Sequence, residues 1–285
     1  MENITNSTKN IYEENLARLK KNNIDYIHID NDDVDDLIDN IKKTRDIGDS
    51  GLRTYLCAIL WYHKNNDSEN ILLDKINKKI TDINKKMTAS YDKNIMNEKE
   101  TECYLDWDEI KQVFYKLYEK RNKSQISFKK CIIIGLYVLF PPRRIKDYSH
   151  MKIVENISDS DKKFNYYVKN NKQFVFSDYK TKKKYGSQIF DIIDELCILL
   201  NEYITKYDLI SKELIGMRET DLSEKIKNIF FTETGKNTSV NTIRHSFINY
   251  MIKHGKINST EERKKYSNMM GHSDITQQNI YRKII

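Results

Sequence analysis

The sequence predicts a mainly α protein with a small antiparallel sheet, an α+β chain in two domains. Three observations lead there. Eight Gly and two Pro in 285 residues are too few for the many turns of an all-β fold. Apolar residues recur at helical spacing through most of the chain, whereas strand-like composition clusters between 164 and 190. A polar stretch without periodicity separates two patterned regions.

Residues 7–22 form the first expected helix, with Ser7 or Thr8 as cap and Ile11, Leu16 and Leu19 near helical spacing. After Asn22-Asn23 and IDYIHI, the run DNDDVDDLIDNIKK opens a second helix, with Val34, Leu37, Ile38 and Ile41 on one side. Its acidic start lacks the Gly and terminal Glu of an EF-hand loop, so a solvated helix start is expected rather than a calcium site. Gly48 and Gly51 precede a strongly apolar helix from Leu52 to His63, with Leu56, Ile59, Leu60 and Trp61 in its core. A fourth helix over 68–87 carries Ile71, Leu72, Ile76, Ile80 and Ile83 beneath a lysine-rich outer face. Residues 1–90 are thus expected to form a helical domain.

Residues 88–103 lose periodicity, and the linker is placed there at 91–103, before a second domain over 104–285. Asp106 can cap a helix bearing Ile110, Val113, Phe114 and Leu117. The next helix, SFKKCIIIGLYVLF, is apolar nearly all round between Ile132 and Phe140, as a central helix should be, and stops at Pro141-Pro142. Then comes RRIKDYSHMKI; two arginines at the end of a buried helix require either an anion or a path to solvent. Strands are expected at 164–169, 173–179 and 185–190, with turns at Asn170-Asn171 and TKKKYG. A helix over 192–206 follows, then a short apolar piece and turn in IKNIFFTETGKNTS, and a helix capped by Thr238 or Ser239.

Charge and composition narrow the function. Lys+Arg number 49 against Asp+Glu 42, a net charge of +7, with acidic residues gathered in the first fifty positions and basic runs later. That asymmetry suits a polyanionic partner, although an AT-rich coding sequence would also enrich Lys, Asn, Ile and Tyr. Cys57, Cys103, Cys131 and Cys197 are widely spaced without metal-ligand patterns, which points to reduced thiols in an intracellular protein. The polar N-terminus has no signal-like core, and no apolar run approaches the ~20 residues of a membrane span.

Five separated pieces read together: Arg144, Lys180, Asn241 with Arg244, His272, and Tyr281. In order and spacing they resemble the tyrosine recombinase (phage integrase) family. Arg144 with Asp147 three residues on looks like that family's first box, and Lys180 in a turn before a strand looks like its catalytic lysine. Asn241-Thr-Ile-Arg244-His245 is similar to its His-x-x-Arg-His box, and Met270-Gly271-His272 with Tyr281 nine residues later looks like its ending. Spacing to Asp147 favours Arg144 over Arg143, and Lys182, Lys183 and Lys184 compete with Lys180 on the same turn. His245 is expected to hold the fold, and His28, His63, His150 and His254 receive no role.

The resemblance implies a helical core-binding domain and a catalytic domain gripping duplex DNA. It also implies strand cleavage through a 3′-phosphotyrosine without metal or cofactor, and a tetramer assembled on DNA for integration or excision of a mobile or viral genome. With four residues beyond Tyr281, only weak association off DNA is expected. The chemistry independently calls for these residue types. Guanidinium forks suit phosphate oxygens, an ammonium can protonate a leaving oxygen, and a phenol of pKa ~10 needs activation in a cationic site. One departure stands out: asparagine at 241 can donate to a phosphate oxygen but cannot accept a proton as a base. A type IB topoisomerase-like relaxing enzyme and a degenerate recombinase that only binds DNA remain open.

Overall fold

A computed structural model describes residues 4–30, 32–66, 70–92 and 95–272. The chain divides into two units, Met1–Lys93 and Asn94–Ile285.

In the first unit α1 (Asn6–Lys21) begins earlier than expected, because Thr5 rather than Ser7 or Thr8 is the cap, its side chain accepting from Thr8 N. Helices α2 (Val34–Arg45), α3 (Asp49–Asn65) and α4 (Asn70–Asp92) follow. The apolar α3 lies against both α1 and α4, and Leu19, Ile41, Leu56, Ile59 and Ile76 are fully buried among them. Some of the expected apolar positions differ, Leu60 being half-buried and Ile11 46% exposed. Ile71 is 63% exposed, and Trp61 is half-buried at the edge, 6.0 Å from the Tyr12 ring. His63 is buried instead, its Nε2 2.8 Å from Tyr26 O, where it ties the loop after α1 to α3.

The second unit starts with α5 (Glu98–Cys103), a six-residue helix inside the stretch read as aperiodic. Asn97 and Glu100 close a reciprocal capping box, which supports a helix too short and too polar to show periodicity. Next are α6 (Trp107–Lys120) and α7 (Gln125–Val138). Helix α7 is buried from Cys131 through Tyr137, and Gly135 allows Phe114 and Leu199 to approach to 3.1 Å from where its Cβ would stand. Helix α8 (Ile145–Ser149) leads to β1 (Lys152–Val154), β2 (Tyr166–Val168) and β3 (Gln173–Phe176). Then come the single turn α9 (Lys182–Tyr185), β4 (Gln188–Asp191), α10 (Asp194–Lys206), α11 (Glu219–Thr234), α12 (Val240–Lys253) and α13 (Thr260–Met269).

The sheet corrects the antiparallel expectation. Among the described residues it has four strands in the order β1-β2-β3-β4, and β1 runs parallel to β2, with Ile153 opposite Tyr167. The pairs β2–β3 and β3–β4 are antiparallel. Strand β1 is three residues long and buries only Ile153, too little for a period-two pattern to register. The other strands are shorter than expected, since residues 177–181 leave the sheet and 182–185 turn helically. One face sends Tyr167, Phe174 and Phe176 into the main helical core, while Tyr166, Val168 and Val175 form a small cluster on the other. Burial on both faces is why these strands read as continuous apolar runs.

Besides the short α5 and α9, two longer helices were absent from the sequence expectation. Helix α11 buries Leu222, Ile226, Ile229 and Phe230, a helical pattern that begins upstream of the apolar piece, and Gly235 ends it in the left-handed region at φ 76°. Helix α13 buries only Ser267 and rests on a capping box of Ser259 and Glu262. No described helix is long and apolar enough to cross a membrane.

Candidate active site

The site is built around the corner where α7 stops. Pro141 and Pro142 cannot continue the helical hydrogen-bond ladder, so the chain turns and restarts at α8 with Arg144 as its N-cap, at φ −76° and ψ 159°. The two arginines at this corner take different roles. Arg143 is fully buried: its Nε donates to Asp147 Oδ2 at 2.6 Å, its Nη2 to Gln188 Oε1 at 3.3 Å, and its guanidinium lies 3.8 Å from the Phe176 ring centroid. Spacing assigned Asp147 to Arg144, yet the carboxylate pairs with Arg143, one helical turn away at i,i+4. Arg144 is half-buried, and its Nη1 donates instead to Gly271 O.

Opposite stands the C-terminal end of α13. The last carbonyls of a helix lack intrahelical partners and carry negative partial charge, so cations collect there. Arg143 Nη1 donates to Met269 O at 2.7 Å, Arg244 Nη1 to Met270 O at 3.1 Å, and Arg144 Nη1 to Gly271 O at 2.5 Å. Three arginines thus meet three consecutive carbonyls. Arg244, fully buried on α12, also donates to Pro142 O at 2.6 Å, locking this helix to the corner. Gly271 turns the chain at φ +67°, and the buried His272 follows, its N–H bonded to Ser267 O at 3.0 Å.

The turn after β3 joins the same place. Thr181 Oγ1 donates to Gly271 O at 3.1 Å, which sets the neighbouring Lys180 at the edge of the arginine row. Lys180 is exposed and makes no hydrogen bond or ion pair with another described residue. Of its competitors, Lys182 donates to Lys162 O at 2.9 Å and Lys184 lies 5.3 Å from the Tyr185 ring centroid. Asn241 is exposed in the first turn of α12, three residues before Arg244 and so on the same side of the helix. His245 is buried in the helix, in keeping with a role in holding the fold. Tyr281 lies outside the described residues.

The phenols beneath the corner are unsuited to nucleophilic attack. Burial raises both Tyr137 and Tyr148 above the ordinary phenol range, and the nearby arginines only partly oppose that rise. No group of three His, Cys, Asp or Glu side chains able to hold a metal occurs among the described residues. The four cysteines are free thiols, Cys131 and Cys197 buried and Cys57 and Cys103 half-buried.

Structure therefore brings Arg144, Arg244, His272 and the Lys180-Thr181 turn into one locality, with Asn241 on the adjoining helix turn. Sequence reasoning missed Thr181, Gln188 and the structural use of Arg143, for which no local pattern exists.

No family model matches the chain, and no curated protein sequence does. Among solved structures, the crystal structure of XerA recombinase is similar at a TM-score of 0.47 and 13% identity, covering 100% of this chain and 89% of that one.

Proposed function

We propose that this chain cleaves and rejoins DNA strands through a covalent tyrosine intermediate, as a site-specific recombinase of the tyrosine type. The observation that carries the proposal is the arginine row at the end of α13, where Arg144 and Arg244 meet the segment leading to His272, with the Lys180 turn bonded to Gly271. Such a row offers fixed positive charge to the nonbridging oxygens of a phosphodiester.

In the proposed step the Tyr281 oxygen attacks phosphorus. A P–O bond to tyrosine forms and the P–O5′ bond breaks. Lys180 Nζ gives a proton to the departing 5′ oxygen, and neutral His272 takes the phenol proton, since Asn241 cannot. The 3′-phosphotyrosine keeps the bond energy, so resealing by a 5′ hydroxyl needs no nucleotide. Asn241 acts as a hydrogen-bond donor to phosphate. Duplex DNA is the partner, four protomers act together on it, and integration or excision of a mobile or viral genome is the use.

The test is a duplex nicked beside its cleavage site, so that the fragment released on attack diffuses away. The full chain is expected to accumulate a protein–DNA adduct resistant to denaturant, and Tyr281→Phe to accumulate none. Absence of adduct with Tyr281 intact overturns the proposal.

One observation favours a second reading. Arg244 has no exposed surface and its Nη1 is engaged by two carbonyls, as in a chain that retains the fold and binds DNA without cutting it. Under that reading Tyr281→Phe leaves salt-dependent duplex binding unchanged and neither protein forms adduct. A topoisomerase-like activity would instead relax a supercoiled plasmid lacking any recombination site.

A further inference from the structure

We infer that Asn165 is a positioning residue for Lys180, an inference that rests on the cleavage chemistry proposed above. Asn165 immediately precedes β2 and is 5% exposed. Its side-chain amide makes four hydrogen bonds. Nδ2 donates to Asp147 O at 2.9 Å and to Asp178 O at 2.8 Å, and Oδ1 accepts from Ser177 N and Asp178 N, both at 2.8 Å. Its backbone carbonyl also accepts from Lys152 N at 2.8 Å, which fixes the residue itself against β1.

Those partners lie on two segments far apart in sequence. Asp147 is three residues beyond Arg144 on α8, and Asp178 is two residues before Lys180, where the chain leaves β3. Asn165 therefore staples the helix that begins at one proposed phosphate clamp to the turn that carries the proposed acid. The amide is the chemical group this requires, since two donors and an acceptor with two lone pairs sit on one short planar side chain. Aspartate has no donor for the two carbonyls, and alanine leaves the buried Asp147 carbonyl and Ser177 N–H, and the part-buried backbone groups of Asp178, without these partners. The Lys146–Asp178 ion pair, 2.8 Å, spans the same junction on the exposed side, and Thr181 anchors the far side of Lys180 on Gly271. The Lys180 backbone is thus held on both flanks while its side chain remains exposed.

A bland alternative exists, since buried asparagines commonly do no more than satisfy the backbone of a turn. The two roles separate by leaving group. Expelling a 5′ alkoxide requires protonation, whereas a 5′ thiolate departs without it because a thiol is far more acidic. Two nicked duplexes should be compared, identical except that oxygen or sulfur bridges the scissile phosphorus to the 5′ carbon. On the oxygen duplex Asn165→Ala is expected to form adduct roughly 10- to 100-fold more slowly than the unaltered chain, the loss typical of a displaced catalytic group. On the sulfur duplex it should recover to within about threefold, as Lys180→Ala should by the same leaving-group argument. If the alanine variant does not fold, Asn165→Asp, which keeps volume and acceptor oxygens, is read in the same way. Equal losses on both duplexes, or no loss on oxygen, overturn the positioning role. An unaltered chain that forms adduct on neither duplex overturns the cleavage reading itself.

Discussion

Gly271 stands where a side chain would run into Arg143. A Cβ built there lies 2.8 Å from Arg143 Nη2 and 3.6 Å from Asp147 Oδ2, and the residue also sits at φ +67°. The guanidinium cannot retreat, because Asp147, Met269 O and Gln188 hold its edges and the Phe176 ring holds its face. Gly235 offers a comparison in the same unit: φ is +76°, but nothing lies within 4 Å of its Cβ position. Gly235→Ala should cost about 1–2 kcal/mol, the backbone cost of left-handed geometry alone. Gly271→Ala should cost about 1–3 kcal/mol more from the collision, and should slow adduct formation because the Gly271 carbonyl holds Arg144 and Thr181. Urea unfolding of both variants measures this, and equal destabilisation would contradict it. The neighbouring Arg143 shows why residue roles here were only partly legible: nothing in RRIKD distinguishes the arginine that is buried from the one that is half-exposed.

At the scale of elements, legibility follows burial. Helix α6 and those of the first unit bury enough apolar residues on one side to impose a period on the sequence, α7 is apolar nearly all round, and all of them were expected near where they lie. Helix α13 buries Ser267 alone, so no stripe announces it, and its start depends on the Ser259–Glu262 box. Ser259 Oγ accepts from Glu262 N at 3.0 Å, while the backbone N–H groups of Ser259 and Asn258 hold the Glu262 carboxyl below its ordinary value. Ser259→Ala should weaken the helix by about 1 kcal/mol. Amide exchange over 260–269 should then quicken about fivefold if opening is local, with α12 unchanged. Unchanged exchange in α13 would show that its packing, not its cap, maintains it. The consequence extends to function, since this helix ends in the carbonyls that receive three arginines.

At the scale of the whole molecule, the second unit rests on an unusually phenolic core. Burial pushes Tyr203 up to about 12, and raises Tyr137, Tyr148 and Tyr167 as well. In the unfolded chain these phenols titrate near ~10. Their folded values are raised, so the native state keeps protons that the unfolded state has released. Their stabilising contribution is complete below about pH 10 and is lost as pH rises above it, by up to about 1.4 kcal/mol per pH unit for each phenol. The urea midpoint of the second unit, followed by Trp107 fluorescence in a Trp61→Phe background, should fall steeply between about pH 10 and about pH 12. A flat midpoint across that range would mean the buried hydroxyls are already compensated in the alkaline form.

Sequence by itself determined the local features: the helices whose stripes are broad, the break at Pro141-Pro142, and the order in which Arg144, Lys180, Asn241, Arg244, His272 and Tyr281 occur. These depend on neighbours within a turn or two, where periodicity and proline geometry act directly. Tertiary structure alone decided that Asp147 pairs with Arg143, that β1 joins the sheet in parallel, and that Asn165 binds two segments 13 and 18 residues away. It also decided that three arginines converge on Met269, Met270 and Gly271. Such partners are chosen by which polar groups are left unsatisfied when distant surfaces close on each other, and an isolated strand of sequence carries no mark of that choice.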